Sequence, residues 1–232
     1  VSQEDPLLQI PSAYDQTNVM QKFLVKPGDQ LDIEYALHFS ETSPYGRYDR
    51  HNRERNGQPR YGEWRYGPQK WIMNQLSVRH YRPNKLYDKT SFRLAHQAFG
   101  ESRISRNLNV TNRNIREENV QAYSANFDFV KSTGERNSLF YGLEYVINDV
   151  TSKGFQEDIL QGSLTSGPSR YPNAVWQSYA AYVSNEYKPS DKLTLQSGVR
   201  FNGYQIVADF DTSFYPLPFN SARNQNEALT GS

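Results

Sequence analysis

From Gln30 to Ser40 the chain alternates strictly, with Leu31, Ile33, Tyr35, Leu37 and Phe39 set against Asp32, Glu34, Ala36, His38 and Ser40. A period of two sends successive side chains to opposite faces of a strand, so this segment has one apolar and one polar face. The pattern returns at Leu139, Tyr141, Leu143, Tyr145 and Ile147 against Glu144 and Asn148. It returns again at Leu193, Leu195, Val199 and Phe201 against Thr194, Gln196, Arg200 and Asn202. Weaker versions run through Trp71–Arg79, Phe92–Arg103, Val120–Phe129 and Tyr179–Tyr187. With a first strand at about Met20–Lys26 the spacing predicts about eight strands. A soluble sheet with one wet face alternates in the same way, so the period alone does not choose between water and membrane.

The connections choose. Short turns are expected at Pro27-Gly28-Asp29, around Arg82–Asp88, at Lys131–Arg136 and at Lys188–Asp191, and long connections at roughly 41–68, 104–118 and 151–176. A barrel crossing an outer membrane has tight turns on one side and long loops on the other. Mean hydropathy is −0.84, and no apolar run approaches the roughly 20 residues that a membrane helix requires. Barrel strands escape that limit because their lumen-facing positions are polar. The 17 Tyr and 12 Phe suit the aromatic girdles of such a barrel. The fold class is therefore read as all-β, an antiparallel up-and-down transmembrane barrel. The eight strands would start and finish on the long-connection side, beginning the last long loop near Ala208, whereas a small complete barrel has both ends on the short-turn side. The final Ala228-Leu229-Thr230-Gly231-Ser232 also lacks a closing aromatic strand. Residues 1–232 are accordingly expected to be an internal part of one larger barrel domain with two unpaired edges, and Val1 a processed start or a cut in a longer protein.

Several functions find no support. The chain has no Cys, which excludes disulfides, thiolate metal sites and thiol nucleophiles. A net charge of +1 gives no case for a nucleic-acid partner. There is no GxSxG, no glycine-rich phosphate loop and no HExxH, and Asp209-Phe210-Asp211 and Glu157-Asp158 are isolated acid pairs. No catalytic residue, cofactor or metal site is expected. His38, His80 and His96 fall within expected strands, and only His51 lies in a long connection.

Four stretches carry a family resemblance. YAAYVSNEYKPSDKLTLQSGVRF (Tyr179–Phe201), PGDQLDIEYALHFSETSPYGRYDR (Pro27–Arg50) and SFRLAHQAFGESRISR (Ser91–Arg106) resemble the strand–turn–strand units of TonB-dependent outer-membrane receptors. YDQTNVMQKFLV (Tyr14–Val25) is similar to the start of the barrel in the branch that includes haem and haemoglobin receptors. The resemblance implies a barrel of about 22 strands, filled by a plug domain that this chain lacks. It implies import of a scarce nutrient, a siderophore-type iron chelate or haem. The energy would come from a TonB–ExbB–ExbD complex acting through the plug, and lipid of the outer membrane would surround the barrel.

Two sets of residues are candidates for function. The first long connection carries Tyr45, Arg47, Tyr48, Arg50, His51, Arg53, Tyr61 and Trp64, and between Tyr45 and Tyr66 six arginines face three acids. Guanidinium forks pair with carboxylates and phosphates while aromatic rings stack on planar ligands, so these residues are expected to bind cargo. The same residues also suit a plain solvated loop. His51 has the chemistry of an axial haem ligand. If Leu31, Phe92, Tyr123, Tyr141 and Leu193 face lipid, then Asp32, Glu34, Arg93, Gln97, Glu101, Asn126, Asp128, Glu144, Glu186 and Arg200 face the lumen or plug. Arg200 is expected to be tied down most firmly. Burying such charges unpaired is costly, so partners are expected. Two alternatives remain at this level: a soluble β-sandwich carbohydrate-binding module, and an outer-membrane enzyme barrel with an acid–base cluster near its loop ends.

Overall fold

A computed structural model describes Asp5 and residues 7–232. Its elements in chain order are β1 (Gln16–Gly28), β2 (Leu31–Thr42), β3 (Tyr45–Gly46), the helical turn α1 (Tyr48–His51), β4 (Glu54–Arg55), β5 (Gln58–Pro59), β6 (Tyr61–Tyr66) and β7 (Lys70–His80). They continue with β8 (Lys89–Asn107), β9 (Asn112–Gly134), β10 (Asn137–Asp158), β11 (Leu164–Gly167), β12 (Asn173–Ser190), β13 (Leu193–Asp209) and β14 (Ser221–Gly231). Nine of the strands form one antiparallel path, β1-β2-β7-β8-β9-β10-β12-β13-β14, in which each long strand pairs with the next along the chain. This is an up-and-down sheet.

Register places every expected lipid-facing residue on one face. Leu31 pairs with His80, Phe92 with Val78 and Phe127, and Tyr141 with Phe129 and Val183. The large apolar side chains left exposed in the long strands, among them Leu76, Leu94, Phe127, Leu143, Val183 and Val199, share that face. The opposite face holds the most buried polar positions, Ser77, Glu118 and Ser152, with Ala36 and Ala180. Among the described residues no large side chain is fully buried, and the molecule exposes 15280 Å². A compact soluble protein of this mass would expose roughly 10,800 Å². One continuous sheet with an apolar outside is a barrel wall, not the two packed sheets of a β-sandwich.

Aromatic side chains finish the apolar face. The Tyr35 hydroxyl donates to Asn74 at 2.6 Å, Tyr145 to Gln177 at 3.3 Å and Tyr179 to Glu227 at 2.9 Å. Each ring covers apolar surface while its hydroxyl meets a polar group, which is what a lipid–water boundary requires. Tyr179 also lies across Gly203, where a Cβ would run into its ring.

Three expectations are corrected. There are nine long strands in place of eight: β14 runs back along β13, pairing Asp209 with Ser221 and Val199 with Gly231. The path thus starts on the long-connection side and turns back toward the short-turn side. Its sequence hid it because β14 has only Leu229 as a large apolar side chain on the apolar face. Second, 104–118 is not a long loop, since β8 continues to Asn107 and β9 begins at Asn112. Third, β10 continues to Asp158 and β12 begins at Asn173, so the connection is 159–172 and not 151–176. At 19, 23 and 22 residues, β8, β9 and β10 far exceed the 9–11 that span a bilayer. Above the membrane both faces meet water, so hydrophobic alternation stops while the backbone ladder goes on.

Candidate cargo-binding surface at the long-loop end

The connection between β2 and β7 folds back onto the sheet. Tyr45 pairs with Tyr66 and Gly46 with Arg65, and β6 in turn pairs with β8, Trp64 opposite Ser105 and Tyr66 opposite Arg103. Between them β4 and β5 form a small hairpin whose central residues Asn56 and Gly57 have φ of 53° and 72°. Asn-Gly is the pair that tolerates this left-handed turn best. The loop is thereby an extension of the barrel wall above the bilayer.

Its side chains meet around Trp64. Arg47 and Arg50 place their guanidinium carbons 5.2 Å and 5.8 Å from the Trp64 ring centre. Trp64 stands edge-on to Tyr66 at 5.1 Å, and Tyr66 continues to Tyr45 at 5.1 Å and Arg103 at 5.2 Å. Arg47 grips Asp49 through Nε at 2.8 Å and a terminal nitrogen at 2.6 Å. Those hydrogen bonds hold the Asp49 carboxyl below the usual carboxylate range. Burial, followed by the neighbouring Tyr66 and Glu101, pushes the Tyr45 phenol up. The Nε atoms of Arg50, Arg103 and Arg106 are buried without a hydrogen-bond partner among the described residues. Those of Arg50 and Arg106 face the Asp49 and Glu63 carboxylates at 3.6 Å and 4.0 Å.

Of the loop residues singled out in sequence, the structure gathers Tyr45, Arg47, Arg50 and Trp64. His51 joins Tyr45 and Trp64 in lining a cleft of about 360 Å³. Tyr48 is exposed on α1. Arg53 and Tyr61 lie apart: the carbonyl of Arg53 accepts from Arg60, whose guanidinium stacks on Tyr61 at 5.1 Å.

The polar-face charges singled out in sequence are paired within the sheet, whereas the buried carboxylate of Glu118 has no hydrogen-bond partner among the described residues. Arg79 reaches Glu34 at 3.0 Å and Asp32 at 3.8 Å, and Arg93 reaches Asp128 at 3.0 Å. Glu101 meets Arg103 at 3.4 Å and Arg170 at 3.5 Å. Arg200 pairs with Glu144 and donates to Asn202 at 2.6 Å. Gln196 donates to Glu186 at 3.0 Å. Gln97 accepts from the Trp71 indole at 3.2 Å. Asn126 stands opposite Glu144 and Arg93 in register.

Sequence reasoning missed the clamp beneath the loop. Glu63 accepts from Arg113 at 2.8 Å and from Arg65 at 3.0 Å, and Arg113 also reaches Glu157 at 3.1 Å. These residues lie in segments of mixed charge, and only the pairing of β6 with β8 brings them together.

A model of the outer membrane protein beta-barrel family matches residues 83–227, more than half of the chain. The chain belongs to that family. It is an outer-membrane protein, and the long-loop end is the extracellular side of the barrel. No curated protein matches the sequence. Among solved structures, the wall is similar to the copper transporter OprC, with a TM-score of 0.74 at 12% identity, covering 95% of this chain and 33% of that one. It is also similar to the ferric citrate transporter FecA in its unliganded form, with a TM-score of 0.62 at 13% identity and the same coverage. The chain thus spans about a third of the length of these structures and shares their barrel fold.

Proposed function

We propose that this chain is the extracellular mouth and part of the wall of a TonB-dependent transporter that imports an anionic metal chelate, and that it is not an enzyme. The observation that carries the reading is the Trp64 platform, with the guanidinium groups of Arg47 and Arg50 on its face. Guanidinium donors beside an aromatic face bind planar, negatively charged ligands well. The two similar structures are of transporters for copper and ferric citrate, which agrees with metal import. A siderophore-type iron chelate is the first cargo class. Haem is the second, because His51 lines the same cleft as Trp64. Uptake would draw on TonB–ExbB–ExbD through a plug.

The test uses the full-length protein in detergent, titrated with ferric citrate, a catecholate iron chelate and hemin while protein fluorescence is followed. Replacing Arg47 and Arg50 together by Ala is expected to weaken the true cargo class at least tenfold, while Tyr48→Phe leaves it unchanged. His51→Ala should change the hemin Soret band if haem is the cargo. Equal affinity of the double variant for every chelate would remove this loop from recognition.

A further inference from the structure

The two methionines of the chain stand on either side of one histidine. Antiparallel register sets Met20 of β1 directly opposite His38 of β2, and His38 directly opposite Met73 of β7. The chain has only these two Met in 232 residues. Residues in register share a face, and this row shares the polar face with Asp32, Glu34 and the buried Ala36. Opposed Cβ atoms on neighbouring strands lie about 4.5–5.5 Å apart, so a thioether from either side reaches the space above the imidazole.

The imidazole is free to accept a ligand. His80 is hydrogen-bonded to Tyr87 at 3.1 Å and His96 to Gln121 at 2.8 Å, whereas His38 makes no such bond among the described residues. Its ring rests on Trp71 at 6.0 Å and 47°, and Trp71 is anchored to Gln97, which stands opposite Met73. Among the described residues no group of three or more His, Cys, Asp or Glu could hold a metal ion. The row is of another kind, two thioethers and a neutral nitrogen.

We propose that Met20, His38 and Met73 form a lumen-wall site for a soft monovalent cation, Cu(I) or Ag(I). Thioethers are soft, uncharged ligands that select Cu(I) over harder ions, and imidazole suits copper as well. The carboxylates nearest on the same face, Asp32 and Glu34, are engaged by Arg79, so no hard ligand competes. Methionine's rotatable bonds let both sulfurs close on the ion. The site goes beyond the loop reading and stands without it, since it uses none of Arg47, Arg50 or Trp64.

The test titrates full-length protein with Ag(I) in chloride-free buffer, and with Cu(I) held anaerobically by a chromophoric chelator. Leucine preserves the volume of methionine, so Met20→Leu with Met73→Leu is compared with wild type, and each variant's fold is checked by heat-modifiable gel mobility. Wild type is expected to hold one more equivalent than the double variant, with sulfur and nitrogen scatterers in the copper absorption spectrum. His38→Gln is expected to weaken binding at least tenfold, and Zn(II) to bind all forms alike. Should the double variant misfold, Met20→Leu alone gives the same comparison. Equal stoichiometry and affinity in the Leu variants, or a wild type that binds neither ion, would overturn the site.

Discussion

Arg113 holds Glu63 at 2.8 Å, and this contact joins the folded extracellular loop to the tip where β8 turns into β9. The second arm of Arg113 reaches Glu157 on β10 at 3.1 Å. Side-chain exposure is 27% for Arg113 and 17% for Glu63, low enough for the pair to matter. The loop's position above the lumen therefore rests on a charged clamp as well as on the backbone pairing of β6 with β8.

Removing the clamp should free the loop without unfolding the wall. Arg113→Met keeps the aliphatic stem but removes one donor from Glu63, which keeps Arg65, and the donor of Glu157, a loss of about 1.5–3 kcal/mol for hydrogen bonds to charged groups. Amide hydrogen exchange in residues 45–66 is expected to speed up about tenfold or more, while β10 and β12 keep their protection. Unchanged exchange in the loop would mean that backbone pairing alone holds it.

Acid should do the same to the wild type. Burial by itself would raise the Glu63 carboxyl, but the hydrogen bonds from Arg113 and Arg65 outweigh it and hold the group below its ordinary range. A carboxyl depressed in the folded state contributes stability above its unfolded value, about 4.3, and loses it as pH falls through the folded value. Loop protection, corrected for intrinsic exchange, is expected to be flat from pH 7 to 5 and to fall below about pH 4.3. Glu63→Gln should flatten the profile. A fall beginning at neutral pH would assign the dependence to some other group.

The wall was legible in the sequence wherever lipid enforces contrast. Leu31 to Phe39 and Leu139 to Ile147 alternate because one face meets hydrocarbon and the other does not. The same logic put Asp32, Glu34 and Arg93 on the polar face before any coordinates. It failed where lipid stops acting, in the upper halves of β8, β9 and β10, and in β14, where Leu229 is the one large apolar residue on the apolar face; the backbone ladder continues in all four. Loop composition pointed to Arg47, Arg50 and Trp64, but Glu63 with Arg113 are 50 residues apart in sequence and meet only through strand pairing. The row of Met20, His38 and Met73 was equally hidden, because register between strands is invisible to any spacing rule along the chain.

Charge tolerance on the outer face should follow depth. Leu143 is 58% exposed in the middle of the apolar face, whereas Gln121 shares that face but lies beside polar Asn119 and Glu117. An arginine costs about 2–4 kcal/mol at the bilayer midplane and about 0–1 near its surface. Leu143→Arg is expected to reduce the heat-modifiable folded fraction in outer membranes severely, and Gln121→Arg to leave it near wild type. Equal tolerance would place Leu143 against protein and not lipid.

Sidedness can be read with single cysteines, because this chain has none of its own. Glu54 is exposed in the small hairpin of the first long loop, and Asp191 is exposed in the tight turn between β12 and β13. In a full-length background freed of other cysteines, Glu54→Cys should react in intact cells with a maleimide that cannot cross the outer membrane. Asp191→Cys should react only after the membrane is permeabilised. β2, which leads to the first position, and β12, which leads to the second, have four strands of the path between them, so five antiparallel steps run them in opposite directions and put the two sites on opposite sides. Labelling of both sites in intact cells would overturn that topology.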